Sequence, residues 1–215
     1  MKKEKTLERI KEEKLIAVVR LSGDREVIRK TVAALCDGGV SIIEITTSVS
    51  DATGIVSSLA GVADREFLIG AGTVLDARTA RDMIDAGAEF IVSPAVIEEV
   101  IETAGKAAVP VFPGAFTATE IWTAFTLGAD AVKVFPASFF GPSFIMALAG
   151  PLPHIPLIPT GGVDLENIAD YIRAGAFAVG VGGNLVDTDA VRGLDWERVK
   201  QTAAKYVEVV RGAGG

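Results

Sequence analysis

The chain has 215 residues, 49% of them hydrophobic and 23% charged, with a formal net charge of −7. That length suits one α/β barrel or two small domains with ample core, and the charge excludes a general binder of nucleic-acid backbone, so any anion site must be local. Cys36 and His154 are the only residues of their kinds, which excludes an internal disulfide, a thiolate metal cluster and a histidine-rich metal site within one chain.

In chain order, Met1 to Lys14 is highly charged and reads as a short helix rather than a signal peptide. Beyond it, β-branched runs alternate with helical patterns. Strands are expected at Leu15–Arg20, Val40–Thr46, Phe67–Ala71, Phe90–Ser93, Val109–Pro113, Ala131–Phe135, Ile155–Pro159 and Ala176–Val181. Helices are expected around Arg25–Cys36, Ala52–Leu59, Ala77–Asp85, Ile97–Lys106, Thr119–Leu127, Phe144–Ala149, Leu165–Arg173 and Arg198–Val210. This alternation matches the (β/α)8 count of a TIM barrel, at the small end for that fold. A doubly wound open sheet is the alternative, because strand order is not written in a sequence. Asp37-Gly38-Gly39, Asp85-Ala86-Gly87, Leu127-Gly128 and Arg173-Ala174-Gly175 each end a helix just before a strand, and recur about every 40–50 residues, the size of one barrel quarter. No apolar run reaches the roughly 18 residues of a membrane span. One domain, residues 1–215, in a soluble cytoplasmic protein is the expectation.

Barrels of this kind carry their chemistry at the C-terminal ends of the strands and in the loops that follow. Those positions here are Arg20, Glu44, Thr73, Ser93, Lys133, Thr160 and Gly182. Lys133 lies in the apolar run Ala131 to Pro136; with period two it shares a face with Ala131 and Phe135, while Val132 and Val134 face the other way. A lysine there either snorkels to water or meets a carboxylate, or it is chemically useful. Only about one free amine in 2,500 is neutral at pH 7, so a lysine nucleophile needs burial or a nearby cation such as Arg20. Glu44 ends an otherwise apolar run and serves either as an ion-pair partner or as an acid–base group. Pro159-Thr160-Gly161-Gly162 and Gly180-Val181-Gly182-Gly183-Asn184 follow the last two expected strands, where barrels commonly bind phosphate with backbone N–H groups. A lysine, a carboxylate and a phosphate site on one rim suggest imine chemistry on a phosphorylated keto compound.

From Leu15 to Leu185 the sequence resembles the class I aldolases of the 2-keto-3-deoxy-6-phosphogluconate (KDPG) and 4-hydroxy-2-oxoglutarate family. The resemblance is carried by Ile16-Ala17-Val18-Val19-Arg20, Ile43-Glu44-Ile45-Thr46, Gly70-Ala71-Gly72-Thr73-Val74-Leu75, Ile91-Val92-Ser93-Pro94, Phe112-Pro113-Gly114, Lys133-Val134-Phe135-Pro136, Gly141-Pro142, Pro159-Thr160-Gly161-Gly162-Val163 and Gly182-Gly183. It implies a (β/α)8 homotrimer that cleaves a small phosphorylated keto acid to pyruvate and an aldehyde with neither metal nor cofactor. Lys133 then corresponds to the Schiff-base lysine and Glu44 to the general acid–base. Arg20, Thr73, Phe135 and Thr160 correspond to substrate contacts, and Gly161, Gly162, Gly182 and Gly183 to the phosphate turns. The implied substrate is KDPG, with 4-hydroxy-2-oxoglutarate as an additional candidate. Two positions depart from the pattern: Ser48 stands where some members carry a carboxylate-binding arginine, and Ser138 where phosphogluconate-type members often carry glutamate. Phe116-Thr117-Ala118-Thr119-Glu120, Ser138 and Gly141-Pro142 look more like the 2-keto-3-deoxy-6-phosphogalactonate branch, which is the alternative assignment.

Two further readings stay open: a phosphate-binding barrel isomerase or synthase that uses Lys133 and Glu44 without an imine, and a catalytically silent barrel. Trp122 and Trp196 are expected as packing residues on outer helices, Cys36 as a small core residue, and His154 at the rim opposite the site.

Overall fold

Short β-branched runs and amphipathic segments alternate in the computed structural model, which describes residues 2–63 and 65–214. The strands are β1 (Leu15–Val19), β2 (Ile42–Thr46), β3 (Leu68–Gly72), β4 (Ile91–Val92), β5 (Val111–Phe112), β6 (Gly114–Ala115), β7 (Val132–Val134), β8 (Leu157–Pro159) and β9 (Val179–Val181). The helices are α1 (Lys2–Glu13), α2 (Arg25–Asp37), α3 (Ala52–Ala60), α4 (Ala77–Asp85), α5 (Glu98–Lys106), α6 (Ala118–Thr126), α7 (Pro142–Ala149), α8 (Ile168–Arg173), α9 (Thr188–Arg192) and α10 (Trp196–Ala213), with a 3-10 turn at Ala137–Phe139.

All strand pairings are parallel. A six-stranded sheet in the order β5-β4-β3-β2-β1-β9 forms a half-barrel, and β6-β7-β8 form a second sheet. The expected strand ending at Pro113 is divided by that residue. Proline has no N–H to give a ladder, so β5 pairs with β4 before it and β6 pairs with β7 after it. Across the break, the Pro113 carbonyl still accepts the Lys133 N–H at 2.9 Å. At the other seam a parallel bridge joins Thr160 to Gly180. The order within the six-stranded sheet shows no reversal of the kind a doubly wound sheet requires.

Two apolar clusters flank the strands. The outer one packs helices against alternate strand residues, including Ile43, Ile45, Val132 and Val134. The inner one joins Ile16, Ile42, Leu68, Phe90, Val92, Phe112, Ala131, Ile158 and Ala178 with Ile10, and Leu7 packs against it. Helix α1 therefore closes the N-terminal ends of the strands with its apolar face. An ion pair from Lys3 Nζ to Asp130 Oδ1 at 2.8 Å pins its start. The period-two reading of the Lys133 run holds, since Ala131 faces the inner cluster and Val132 and Val134 the outer one.

Four of the expected helix ends adopt left-handed glycine, with φ of 91° at Gly39, 103° at Gly87 and Gly128, and 93° at Gly175. Other boundaries move for local reasons. The helix expected from Leu165 begins at Ile168, because Asp164 Oδ1 accepts the N–H groups of Glu166 and Asn167, and Asn167 Oδ1 accepts that of Asp164. These side chains offer the backbone a turn in place of helical bonds. Helix α9, absent from the expected elements, starts on Asp187, whose carboxylate accepts two N–H groups. Trp122 is a correction: it is 48% exposed, its ring edge-on to that of His154 at 6.3 Å. Trp196 and Cys36 are half-buried against the outer cluster, and burial pushes the Cys36 thiol up to about 11.

If α1 is a plug, Ile10→Ala should lower the unfolding free energy by about 2–5 kcal/mol in a denaturant titration, the usual range for a buried isoleucine truncated to alanine.

Candidate active site

The strand register places polar side chains on the inward face, beyond the inner apolar cluster toward the C-terminal ends. Glu44 on β2 is 3% exposed and Lys133 on β7 is 5% exposed, while Thr160, just after β8, is 6% exposed. Their sequence neighbours explain why they are held inside. Ile43, Ile45, Val132 and Val134 occupy the outer cluster, so alternation leaves Glu44 and Lys133 no face but the inner one.

A glycine makes the room the Glu44 side chain needs. Glu44 lies opposite Gly70 on β3 and Lys133 opposite Gly114 on β6, but the space above those two glycines is taken by the Phe90 ring and the Pro94 carbonyl. A Cβ on Gly72 would overlap Glu44 Oε1 and stand only 2.7 Å from its Cγ. The Glu44 carboxylate thus lies over Gly72, in space that any other residue would take. Its Oε1 is buried and has no hydrogen-bond partner among the described residues. A buried polar atom without a partner costs about 1–3 kcal/mol, a cost tolerated at sites of function rather than in ordinary core.

The two ionisable groups do not neutralise each other. Among the described residues Lys133 forms no ion pair with any carboxylate. Its Nζ stands 5.2 Å from the centroid of the Phe135 ring. That ring in turn packs on the next loop, where a Cβ on Gly161 would fall 3.1 Å from Phe135 Cε2.

At the rim, Arg20 Nη2 donates to Thr73 Oγ1 at 3.3 Å, joining two of the expected substrate contacts. Thr73 has a φ of 60°, a left-handed conformation that costs a β-branched residue on the order of 1–3 kcal/mol. Thr46, Thr47, Ser48 and Gly72 were not among the expected site residues. Thr46 Oγ1 bonds to the Val19 carbonyl at 3.3 Å and lies 2.8 Å from Ser48 Oγ, and Thr47 Oγ1 donates to the Thr73 carbonyl at 2.7 Å. Ser93, at a strand end, is spent structurally: its buried hydroxyl donates to the Ala95 carbonyl at 2.7 Å.

The two glycine turns are tied together. Asn184 Nδ2 donates to the Val163 carbonyl at 3.0 Å, and the Thr160–Gly180 bridge joins their bases. Gly161 and Gly162 both have positive φ, 85° and 82°. Ser138 packs directly on Gly162, and the Ser138 N–H donates to the Gly161 carbonyl at 2.9 Å. Gly182 and Gly183 have neither positive φ nor any neighbour within 4 Å of an added Cβ. Protein packing gives no reason for glycine at those two positions. The N–H groups of Gly161, Gly162, Gly182 and Gly183 donate to no backbone carbonyl of the described residues.

A buried lysine, a buried carboxylate with a free oxygen, a cationic rim and open N–H groups therefore share one end of the sheet. The model of the KDPG and KHG aldolase family matches residues 6–202. The chain belongs to this family. By that membership it is an aldolase, a carbon–carbon lyase. It is 36% identical over 200 residues to a 2-dehydro-3-deoxy-6-phosphogalactonate aldolase of Escherichia coli K12, covering 93% of this chain and 95% of the relative. Identity is also 36%, over 202 residues, to a 2-dehydro-3-deoxy-phosphogluconate aldolase of Pseudomonas aeruginosa, covering 92% and 90%. The fold superimposes with a TM-score of 0.82 on a solved KDPG aldolase from Legionella pneumophila holding pyruvate as a covalent carbinolamine intermediate, at 27% identity and with 89% and 93% of the two chains covered.

Gly72→Ala isolates the role of the space beneath Glu44. The added methyl meets the movable end of a side chain rather than backbone, so the fold should survive, with Tm changed by only a few degrees. Turnover should fall at least roughly 100-fold as the carboxylate is displaced, since a general acid–base group contributes about 10²–10⁴-fold.

Proposed function

We propose that this chain is a class I aldolase that cleaves 2-keto-3-deoxy-6-phosphogluconate to pyruvate and glyceraldehyde 3-phosphate through an imine on Lys133. The observation that carries this reading is the buried Lys133 amine, sharing one interior with the Glu44 carboxylate; among the described residues neither that amine has a carboxylate partner nor Glu44 Oε1 a hydrogen-bond partner. The carbinolamine in the Legionella pneumophila relative supports it, as that protein forms the first covalent species of such a path.

In this mechanism Lys133 Nζ adds to the C2 ketone, giving a carbinolamine. Glu44 returns a proton to the departing hydroxyl, water leaves and an iminium remains. Glu44, again a carboxylate, accepts the proton of the C4 hydroxyl as the C3–C4 bond breaks and that bond's electron pair enters the iminium to form an enamine. Glyceraldehyde 3-phosphate departs. Glu44 gives the proton to C3, and addition of water to the iminium releases pyruvate and restores the amine. Arg20 and Thr73 hold the carboxylate end of the keto acid, and Phe135 and Thr160 flank the pyruvyl unit. The turns at Gly161, Gly162, Gly182 and Gly183 bind the phosphate. Binding at that distant group positions the reacting carbons.

The same proposal includes four features of the whole protein. Residues 1–215 make one domain, and its two sheets close into a single (β/α)8 barrel. The Pro113–Lys133 hydrogen bond and the Thr160–Gly180 bridge support this closure. The protein acts in the cytoplasm as a homotrimer. A rim of aromatic side chains supports self-association: Phe139 is 76% exposed beside Phe116, and Phe140 stacks on Phe144 at 4.6 Å.

Borohydride with pyruvate should label the protein irreversibly at Lys133, located by peptide mass mapping, and Lys133→Ala should take no label. Glu44→Gln should slow turnover by about 10²–10⁴-fold. Activity without any trapped adduct would favour an isomerase or synthase using the same residues without an imine. The alternative substrate, 2-keto-3-deoxy-6-phosphogalactonate, is favoured by Phe116-Thr117-Ala118-Thr119-Glu120, Ser138 and Gly141-Pro142, which resemble that branch, and by the Escherichia coli relative. Comparing kcat/KM for the two epimers decides between them; a higher value for the galactonate epimer moves the assignment there. Compared with either, 4-hydroxy-2-oxoglutarate should lose roughly 10–100-fold in kcat/KM, the worth of one or two charge-assisted hydrogen bonds to phosphate.

A further inference from the structure

We propose that Thr47 is a positioning residue, which clasps the Gly72–Thr73 peptide and holds Thr73 in the conformation that meets the keto acid. Thr47 grips this segment twice. Its N–H donates to the Gly72 carbonyl at 2.8 Å, and its Oγ1 donates to the Thr73 carbonyl at 2.7 Å. Between those bonds lies Thr73, whose backbone is left-handed at φ 60°. A β-branched residue leaves that region unless its surroundings over-determine it. On its other side Val74 is anchored, its N–H donating to the Val92 carbonyl at 3.1 Å. With both flanks fixed, Thr73 Oγ1 is delivered to Arg20 Nη2.

The side-chain hydroxyl is the part of the clasp that the sheet does not supply. The Thr47 N–H continues the pairing of β2 with β3, whose last matched residues are Thr46 and Gly72, and any residue but proline would make that bond. The bond to the Thr73 carbonyl needs a hydroxyl at residue 47. Thr47 is therefore a functional position that touches no reacting atom.

The inference rests on the reading that Arg20 and Thr73 hold the carboxylate of the keto acid. Its test uses pyruvate as the probe and borohydride trapping on the full chain, for Thr47→Val, Thr47→Ser, Thr73→Val and the Thr47→Val/Thr73→Val pair. Thr47→Val should raise the half-saturating pyruvate concentration about ten-fold, the worth of one good hydrogen bond, with the trapping rate at saturation unchanged. Thr47→Ser, which keeps the hydroxyl, should stay within about two-fold of the parent. The double variant should bind pyruvate no more weakly than Thr73→Val, because Thr47 acts through Thr73. A Thr47→Val enzyme with the parent's pyruvate dependence overturns the clasp alone, as does a double variant whose loss is the product of the two singles. If Thr47→Val weakens binding while Thr73→Val does not, both the clasp and the Thr73 contact fall. Amide exchange over residues 72–74 reads the clasp without any ligand: it should be faster in Thr47→Val than in Thr47→Ser, and equal rates overturn the proposal even if pyruvate is never trapped.

Discussion

The structure depends on one constraint: an ionisable amine and a carboxyl group are held in the interior without pairing among the described residues. Burying an ionisable group without its counter-ion is among the larger penalties a fold can carry. Locally, only a part is offset, by the Phe135 ring that faces Lys133 Nζ at 5.2 Å. What holds them is the strand on which each sits, whose outward residues, Ile43, Ile45, Val132 and Val134, are fully enclosed by helices. Turning either polar side chain outward would expose these neighbours, at about 1.5–3 kcal/mol for each large apolar side chain. The outer core thus keeps the inner site in place.

The interior is graded along the strands. Toward their N-terminal ends it is filled by isoleucine, leucine and phenylalanine and closed by α1. Toward their C-terminal ends the filling gives way to glycines whose missing side chains are replaced by functional or backbone groups. Glu44 occupies the space of Gly72, Thr160 that of Gly180 and the Pro94 carbonyl that of Gly114. Rigidity follows from the same packing. The 3-10 turn after β7 is held by Thr160, whose carbonyl accepts the Ala137 N–H at 2.9 Å, and by Tyr171, whose hydroxyl donates to the Ala137 carbonyl at 3.0 Å. Loops pinned in this way present their groups in fixed positions, the condition under which orientation and electrostatics act on a reaction.

Much of this was legible in the sequence because it follows from period and punctuation. The alternation of elements, the inward direction of Lys133 and the left-handed glycines at helix ends each depend on a few adjacent residues. The break at Pro113 follows equally from a missing N–H, yet the continuation at Gly114–Ala115 depends on β7, which arrives later in the chain. Arg20 and Thr73 were legible as rim residues, but their hydrogen bond joins residues 53 positions apart. Gly72 and Thr47 were missed for the same reason. A glycine in a strand carries no mark of which side chain fills its space, and a threonine after a strand carries none of which carbonyl it bonds. Trp122 shows the opposite error, since a large aromatic on a helix signals packing only when something covers it.

The choice between C4 epimers turns on a single hydroxyl direction. A site rejects the wrong epimer strongly when a buried polar group is left unpaired by it. In the proposed reading Ser138 lies beside the Gly161–Gly162 turn, and it is exposed. A serine hydroxyl both donates and accepts and rotates to suit its partner, and water can replace that partner at an exposed position. Such a residue adjusts to either configuration at little cost. A carboxylate at residue 138 would behave differently, because it accepts only and carries charge toward the Gly161–Gly162 turn. In that reading the corner at residue 138 discriminates weakly between the epimers, and Lys133 and Glu44, held from the outer core, act on the C2 carbonyl common to both.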